Sequence, residues 1–299
     1  MMEGYRRFEF DGANCRLSAV ETGDADAPDM VILHGMRDHA LSLAGIASEF
    51  GNDFHIVMPD LRGHGYSENP GSYSMTQFVA DLRSLVTTCE LENPVLIGHS
   101  LGGHMVSKYT AIYDDVSKLV LIDGMGPPRP PGKPDREQRR GQWRGNIETA
   151  LQLSSHRKQM ADAAEAFERL TRNNPLLSHD LAHLIIDHGV EPHPDGGVRW
   201  RWDPAVSMVW STFSHEESEE QWTWIECPVL VATGEKSMEY WSGPRFELDE
   251  DNELHTAEIE RRCNLFVDAR HREIPDAGHM LHYDQPEALN RCLREFIET

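Results

Sequence analysis

The sequence predicts an α/β fold: a mainly parallel eight-stranded sheet flanked by helices, with an inserted helical cap. Short apolar runs alternate with longer amphipathic stretches through the first 122 residues, and the alternation resumes after residue 227. Such alternation is typical of βαβ units, in which helices cover both faces of a parallel sheet. A proline-rich break at 127–134 begins a stretch without strand-like runs, and this interruption predicts the insertion.

The individual elements follow from the hydrophobic periodicity. The eight strands are expected at 5–10, 15–21, 30–33, 55–58, 95–97, 118–122, 229–232 and 272–274. The helices of the core are expected at 40–50, 76–89, 101–112, 256–266 and 286–297. Because the carboxyl ends of parallel strands meet at one edge of a sheet, we expect functional residues at that edge.

The chain is predicted to divide into a first part of the core (1–123), the cap (124–226) and a second part of the core (227–299). Helices of the cap are expected at 146–155, 156–173 and 178–189. The basic run at 136–144 is interpreted as a solvated helix face rather than an anion site.

Six of the seven tryptophans lie in the predicted cap. One interpretation is that they line the underside of the cap and form a small, largely apolar pocket for an acyl or aromatic group. The other is that a thin helical layer needs bulky side chains to pack onto the edge of the sheet. For any single tryptophan we favour this packing explanation.

The net charge of −22 comes from 50 acidic and 28 basic residues. It repels nucleic acid and anionic membrane, so neither is an expected partner. We favour an ordinary acidic enzyme over an adaptation to high salt. No apolar run approaches the roughly 18 residues of a membrane helix, and the first residues lack a signal-peptide core, so a soluble cytoplasmic protein is expected.

Five widely separated cysteines show no Cys-x-x-Cys pair. This pattern indicates a reducing compartment and argues against a disulfide framework or a zinc site. Accordingly, no metal and no other cofactor is expected.

The run Gly98-His99-Ser100-Leu101-Gly102 places a serine between two glycines, directly after the apolar run 94–97 and before a predicted helix. Glycine at the flanking positions permits a tight turn that leaves the serine Oγ exposed at the carboxyl end of a strand. The context of strand, turn and helix therefore predicts a nucleophile elbow with Ser100 as the nucleophile.

Three further motifs accompany this elbow along the chain: VILHG at 31–35, PDLRGHGYS at 59–67 and IPDAGHMLH at 274–282. Together the four motifs resemble those of the α/β-hydrolase superfamily, over nearly the whole chain. The run LVLIDGMGPP at 119–128 is similar to a segment of its cap-bearing serine hydrolase and esterase branch. The resemblance implies a catalytic triad in the chain order serine, acid, histidine.

On this resemblance, His279 is the expected general base. His282 resembles a family position that packs rather than reacts, and His34 resembles a loop-shaping residue. The oxyanion donors that the resemblance implies are the backbone N–H groups of Met36 and Leu101.

The acid is assigned to Asp123, at the end of the predicted sixth strand. In many relatives an aspartate follows the seventh strand in the pattern Gly-x-x-Asp, but Ser237 stands at that position here. Other relatives, including haloalkane dehalogenases and zearalenone-type lactonases, carry the acid after the sixth strand. Both strand ends flank the histidine loop, so Glu235 and Glu239 remain alternative acids, and a structural role at the cap hinge remains open for Asp123.

The resemblance implies a cofactor-independent serine hydrolase that cleaves a small or medium apolar carboxylic ester or lactone through an acyl-serine intermediate. A serine at the elbow argues against dehalogenase and epoxide hydrolase chemistry, which uses a carboxylate nucleophile. Carbon–carbon bond hydrolases, thioesterases and cofactor-free haloperoxidases share the triad, and some members of the fold only bind ligands. These alternatives stay open, as does the oligomeric state, and the expected partner is a small-molecule ester or lactone.

Overall fold

The computed structural model describes residues 4–129, 132, 135–153, 159–241 and 252–299. In chain order the strands of these ranges are β1 (Arg6–Asp11), β2 (Arg16–Thr22), β3 (Asp29–Leu33), β4 (His55–Pro59), β5 (Val95–His99), β6 (Lys118–Ile122), β7 (Val190–Pro192), β8 (Val198–Trp200), β9 (Val229–Gly234) and β10 (Ala269–Ile274).

The helices of the same ranges include short and long ones. They are α1 (Ala44–Phe50), α2 (Met75–Thr88), α3 (Leu101–Ile112), α4 (Arg136–Leu153), α5 (Ala163–Asn173), α6 (His179–Gly189), α7 (His215–Trp222), α8 (Ser237–Trp241), α9 (Asn252–Cys263), α10 (Leu281–Asp284) and α11 (Pro286–Ile297), with 3-10 helices at Ala40–Leu43 and Pro204–Thr212. Within the described part of the chain, every helix is too short or too polar to cross a lipid bilayer.

Eight of the described strands form one sheet in the order β1-β2-β4-β3-β5-β6-β9-β10. β2 pairs antiparallel with both β1 and β4, whereas all pairs from β4 to β10 are parallel. The predicted mainly parallel, eight-stranded sheet is therefore confirmed. Its centre is β5, which lies between β3 and β6, so the residues that follow β5 stand in the middle of the strand-end edge.

Successive residues of the central strands enter two different cores. Leu119 and Leu121 of β6 pack in the core that α2 and α3 cover, whereas Val120 and Ile122 pack in the core that α1 and α11 cover. All four side chains are fully buried. A strand that is buried on both faces is apolar at every position, which explains the continuous apolar runs in the sequence.

Two helix starts show how the local sequence fixes these layers. α2 begins with a capping box, in which the Ser74 hydroxyl accepts from the Gln77 amide and the Gln77 side chain accepts from the Ser74 amide. α11 begins with Pro286, which suits a first helical position because no backbone N–H is needed there.

The segment between β6 and β9 contacts elements that follow the strand ends of the sheet. Its helix α6 adjoins the 3-10 helix Ala40–Leu43, where Nε2 of His39 donates to the Ile185 carbonyl at 3.1 Å. Ile185 and Leu177 pack against Tyr283, which belongs to α10. The loop after β3 and helix α10 thus both contact this segment.

The basic run 136–144 is helical and exposed, as the interpretation of a solvated helix face predicts. Other parts of this segment differ from the prediction: α4 begins at Arg136, ten residues before the predicted start at 146. The end of the predicted helix 146–155 and the first residues of the predicted helix 156–173 lie outside the described residues. Residues 159–162 are not helical, because Met160 pairs with Val198 and the Asp162 side chain caps α5 by accepting from the Glu165 amide. The β7–β8 hairpin and the 3-10 helix Pro204–Thr212 were not predicted.

Candidate active site

Ser100 occupies a strained turn directly after β5. Its backbone dihedral angles, φ of 52° and ψ of −117°, lie outside the regions that residues other than glycine normally adopt. A Cβ atom on Gly98 would lie 2.4 Å from the backbone of Gly102, and one on Gly102 would lie 2.5 Å from the Leu33 carbonyl oxygen. Only glycine fits at either position, so the elbow predicted from the sequence is present as a backbone feature.

His279 and Asp123 lie beside this serine. Nδ1 of His279 is 2.5 Å from Oδ2 of Asp123, and Nε2 of His279 is 3.0 Å from Oγ of Ser100. Because a carboxylate only accepts, the imidazole proton is on Nδ1, and Nε2 accepts from the serine hydroxyl. His279 and Asp123 are each 7% exposed, so this pair is largely shielded from water.

The backbone at the end of β6 fixes Asp123. Its φ of 43° is left-handed, and its amide donates to the Ala232 carbonyl of β9 at 2.8 Å. The acid therefore stands between two neighbouring strand ends, one residue past the last residue of β6.

The residues after β9 are engaged in other contacts. Oε2 of the exposed Glu235 accepts from the Asp276 amide at 2.9 Å, and Glu239 lines a neighbouring cavity. Ser237, at the position where many relatives have an aspartate, is fully buried, and its hydroxyl accepts from the Gly234 amide at 3.0 Å. That serine closes the turn after β9 rather than contributing a charge.

Met36 and Leu101, the expected oxyanion donors, lie in two segments that meet at Ser100. Leu101 is the first residue of α3, where backbone amides have no partner inside the helix. Met36 follows Gly35, and a Cβ on Gly35 would lie 3.1 Å from Cβ of Ser100 and 2.7 Å from Nδ1 of His99. The loop after β3 is thus in close contact with the elbow, and two amides can face one substrate oxygen there.

Two aromatic residues beside His279 were not identified from the sequence. The Tyr240 ring stacks on the His279 imidazole, with 3.9 Å between centroids and 10° between planes. Nε2 of the buried His99 donates to the His279 carbonyl at 2.9 Å. His99 is part of the elbow motif, so its position was available from the sequence. Tyr240 follows β9 without any pattern that would distinguish it.

Several buried histidines surround the site in the neutral form. Burial lowers the pKa of His99 to about 3 and lowers the pKa of His34 and of His282 well below the usual value. His282 packs its ring against His99, with 4.5 Å between centroids, and neither of its ring nitrogens has a hydrogen-bond partner among the described residues. His279 is thus flanked by imidazoles that stay uncharged at neutral pH.

A cavity of about 830 Å³ opens beside His279. Met36 and Tyr283 contribute to it from the core, and Trp200 and Trp202 contribute from the segment between β6 and β9. The sequence had suggested a small and largely apolar pocket, but this cavity is large and its lining is mixed. Seven of the described residues that line it are charged: Arg37, Asp38, Arg169, Lys236, Glu239, Asp276 and Asp284.

Several of these charged side chains already have a hydrogen-bond or ion-pair partner within the protein. Burial raises the pKa of Asp38, whose Oδ2 accepts from the Tyr283 hydroxyl at 2.8 Å, and burial together with this carboxylate raises the pKa of Tyr283 well above its usual value. Nζ of Lys236 lies 2.8 Å from the carboxylate of Asp276. A substrate in this cavity therefore meets polar groups that are already ordered.

The tryptophans are divided between the two interpretations. Trp200 and Trp202 line the cavity, whereas Trp222 is a core residue and is 2% exposed. Trp143 and Trp224 are exposed on the surface. In the described residues, no group of three or more histidine, cysteine or acidic side chains is arranged to hold a metal ion.

The chain is similar to known proteins in both sequence and structure. Residues 30–291 match the family model described as "Alpha/beta hydrolase family". A serine hydrolase-like protein of Mus musculus is 26% identical over 287 residues, covering 92% of this chain and 90% of its own. Esterase YbfF of Escherichia coli is 25% identical over 288 residues, covering 95% of this chain and 98% of its own.

Among solved structures, the thioesterase domain from the curacin biosynthetic pathway superimposes with a TM-score of 0.81 at 20% identity. The match covers 97% of this chain and 99% of that chain. At this level of identity the likeness shows a shared fold and carries no information on substrate.

Proposed function

The chain belongs to the alpha/beta hydrolase family, and from this premise we propose that it is a serine hydrolase that cleaves a carboxylic ester or lactone through an acyl-serine intermediate. The observation that carries the proposal is the hydrogen-bonded series from Ser100 Oγ through His279 to Asp123, with distances of 3.0 and 2.5 Å. The serine hydrolase-like and esterase relatives support the same class.

In the proposed reaction, Nε2 of His279 takes the hydroxyl proton while Oγ of Ser100 attacks the substrate carbonyl carbon. The amides of Met36 and Leu101 donate to the oxyanion that forms. The imidazolium then returns the proton to the leaving alkoxide, and an alcohol and acyl-Ser100 result. Water repeats the sequence with His279 as the base and releases the acid, while Asp123 holds the required tautomer and stabilises the imidazolium.

We also propose that residues 124–226 act as a cap over this site. Support comes from the cavity, whose lining combines Trp200, Trp202 and Leu176 of this segment with Met36 and His279 of the core. A small or medium substrate would place its apolar part against the two indoles, and the charged lining would receive polar substituents.

Labelling with a fluorophosphonate probe tests the nucleophile directly. We expect the wild-type protein to be labelled at Ser100, and we expect Ser100→Ala to be unlabelled at unchanged folding. A panel of p-nitrophenyl esters of graded chain length, lactones and acyl thioesters then identifies the preferred bond. Absence of labelling in the folded wild-type protein would refute the proposal and favour a ligand-binding role.

A further inference from the structure

We propose that His64 is a positioning residue for the oxyanion donor Met36: its Nε2 holds the loop after β3 in the strained conformation that places this amide beside Ser100. The proposal rests on the proposed function of Ser100 and adds to it a group that touches neither substrate nor the serine.

The strain is located at Arg37, the residue directly after Met36. Its φ of 70° is left-handed, a conformation that glycine adopts readily and that a residue with a side chain adopts only where its surroundings impose it. A direct restraint on this peptide is the hydrogen bond that the Arg37 amide donates to Nε2 of His64 at 3.0 Å. The Arg37 N–H belongs to the peptide group that joins Met36 to Arg37, so this hydrogen bond fixes the chain directly after Met36.

His64 is itself fixed as an acceptor at Nε2. Its Nδ1 is 3.0 Å from the Arg62 carbonyl, which can only accept, so the proton is on Nδ1 and the lone pair is on Nε2. The ring is fully buried, and burial lowers its pKa to about 4, against the opposing influence of Asp60 and Asp203. At neutral pH the acceptor is therefore permanently available.

His34 makes the reciprocal connection. It stands in the loop after β3, its Nδ1 donates to the Gly35 carbonyl at 2.7 Å, and its Nε2 accepts from the Leu61 amide at 3.0 Å. The rings of His34 and His64 meet edge to face, with 5.1 Å between centroids. The loop after β3 and the loop after β4 thus each contribute one imidazole, which accepts a hydrogen bond from a backbone amide of the other loop.

The segment between β6 and β9 extends this connection. The backbone of Trp202 pairs with His64, and the Asp203 amide donates to the Gly63 carbonyl at 2.8 Å. Trp202 also lines the cavity. The same tryptophan therefore borders the substrate space and braces the histidine that holds the oxyanion loop.

The two amide variants of His64 separate its two hydrogen bonds. Glutamine carries an oxygen near the position of Nε2 and can accept from the Arg37 amide, whereas asparagine carries an NH₂ near the position of Nδ1 and can donate only to the Arg62 carbonyl. His64→Gln should keep kcat within a few-fold of wild type. His64→Asn should lose roughly 10- to 100-fold in kcat with KM changed little, since removal of a whole oxyanion donor costs about 10²- to 10³-fold.

Fluorophosphonate labelling rates and thermal unfolding complete the test. We expect the labelling rate of Ser100 to fall in parallel with kcat in His64→Asn, while both variants unfold at similar temperatures. Should His64→Asn fail to fold, His64→Leu replaces it, because leucine has a similar size and supplies neither bond, and the same loss in kcat is expected. In the His64→Asn background, Arg37→Gly should raise kcat again, because glycine adopts the left-handed conformation without a restraint.

The proposal is overturned if the glutamine and asparagine variants have equal kcat, or if the asparagine variant changes KM alone. Wild-type protein and Ser100→Ala are measured as controls, so that a failure of the proposed function can be recognised separately. If the wild-type protein is not labelled, the proposed function is wrong, and so is the positioning role of His64. If the wild-type protein is labelled, the kcat values of His64→Gln and His64→Asn alone decide whether His64 has the positioning role.

Discussion

Asp123 at the end of β6 forms a 2.5 Å hydrogen bond with Nδ1 of His279, although His279 follows β10 and β9 lies between the two strands. The pairing is possible because the Asp123 amide bonds to Ala232 of β9, which brings the end of β6 level with that of its neighbour. The carboxylate that follows β6 is therefore within hydrogen-bond reach of His279, even though β9 lies between the two strands.

Asp123→Asn is expected to lower kcat by roughly 10³- to 10⁴-fold at neutral pH, because the imidazole loses its fixed tautomer and the carboxylate that stabilises its charged form. KM should change little. Steady-state kinetics of Asp123→Asn beside Glu235→Gln and Glu239→Gln provide the comparison. A loss of this size in either glutamine variant, with a near-normal Asp123→Asn, would transfer the acid role to the residue after β9.

Ser100→Ala is expected to lower kcat about a thousandfold or more, since binding and the oxyanion donors retain only part of the rate acceleration. The fold should be unaffected, because alanine removes only the hydroxyl from the elbow. Turnover of a p-nitrophenyl ester and circular dichroism of the purified variant measure the two quantities. Near-native turnover would show that another residue is the nucleophile.

Trp202→Ala is expected to raise KM several-fold for medium-chain esters and to affect acetate esters least, because each buried methylene contributes about 0.8 kcal/mol against an apolar wall. Trp224, which is 51% exposed and does not line the cavity, supplies the matched control as Trp224→Ala. Equal effects on all chain lengths would place the acyl group elsewhere. Strong activation by an oil interface with long triglycerides would argue against binding of the acyl chain inside this cavity.

Arg262→Met tests the ion pair between the buried Arg262 and the partly buried Glu258. The Arg262 guanidinium is 2.8 Å from Glu258 and donates to the Pro127 carbonyl at 2.8 Å. Burial by itself would raise the pKa of Glu258, but hydrogen bonds from Arg261 and Arg262 hold it at about 2. Removal of the arginine should cost about 1–3 kcal/mol in the free energy of unfolding, because the Pro127 carbonyl loses its donor and the partly buried Glu258 keeps only Arg261 as its cation among the described residues.

Urea unfolding measures that loss. The double variant with Glu258→Gln should be less destabilised than Arg262→Met alone, since it no longer contains a carboxylate that has lost one of its two arginine partners. If the double variant is instead as unstable as the sum of the single ones, the two side chains are not coupled.

The parts of this protein that the sequence predicted are those in which local pattern and tertiary packing coincide. Strands β5 and β6 are continuously apolar at 95–97 and 119–122 because both their faces are buried there, and the predictions at 95–97 and 118–122 fell on them. The edge strand β10 begins three residues earlier than predicted, at Ala269. Arg270 and Arg272 are exposed there, because an edge strand needs no continuous apolar run.

What the sequence left open depends on distances between chain segments. Asp123, Glu235 and Glu239 were all candidates, because the ends of β6 and β9 are neighbours and no local pattern states which carboxylate reaches Nδ1. The Tyr240 stack on His279 and the size of the cavity are likewise products of packing. The catalytic role of Asp123 stays a prediction that the kinetics above decide.

Buried histidines are expected to make this protein less stable in acid. Burial lowers the pKa of His104 to about 3, assisted by the positive charges of Lys108, Arg262 and His215, and its ring is packed against Trp210 and Phe213. In the unfolded chain a histidine binds its proton near pH 6.5, so between that pH and about 3 the unfolded state holds more protons than the folded state.

The free energy of unfolding is therefore expected to decrease as the pH falls. Each such histidine lowers it by up to about 1.4 kcal/mol per pH unit below 6.5, until the pKa of that histidine in the folded protein is reached. His99, with a pKa of about 3, and His64, with a pKa of about 4, contribute in the same direction. We expect the urea midpoint to fall steadily from pH 7 to pH 5. His104→Phe, which keeps an aromatic ring beside Trp210 without a titrating group, should reduce the slope, and His179→Gln at an exposed position is the control. An unchanged slope in His104→Phe would show that this histidine does not contribute to the acid sensitivity.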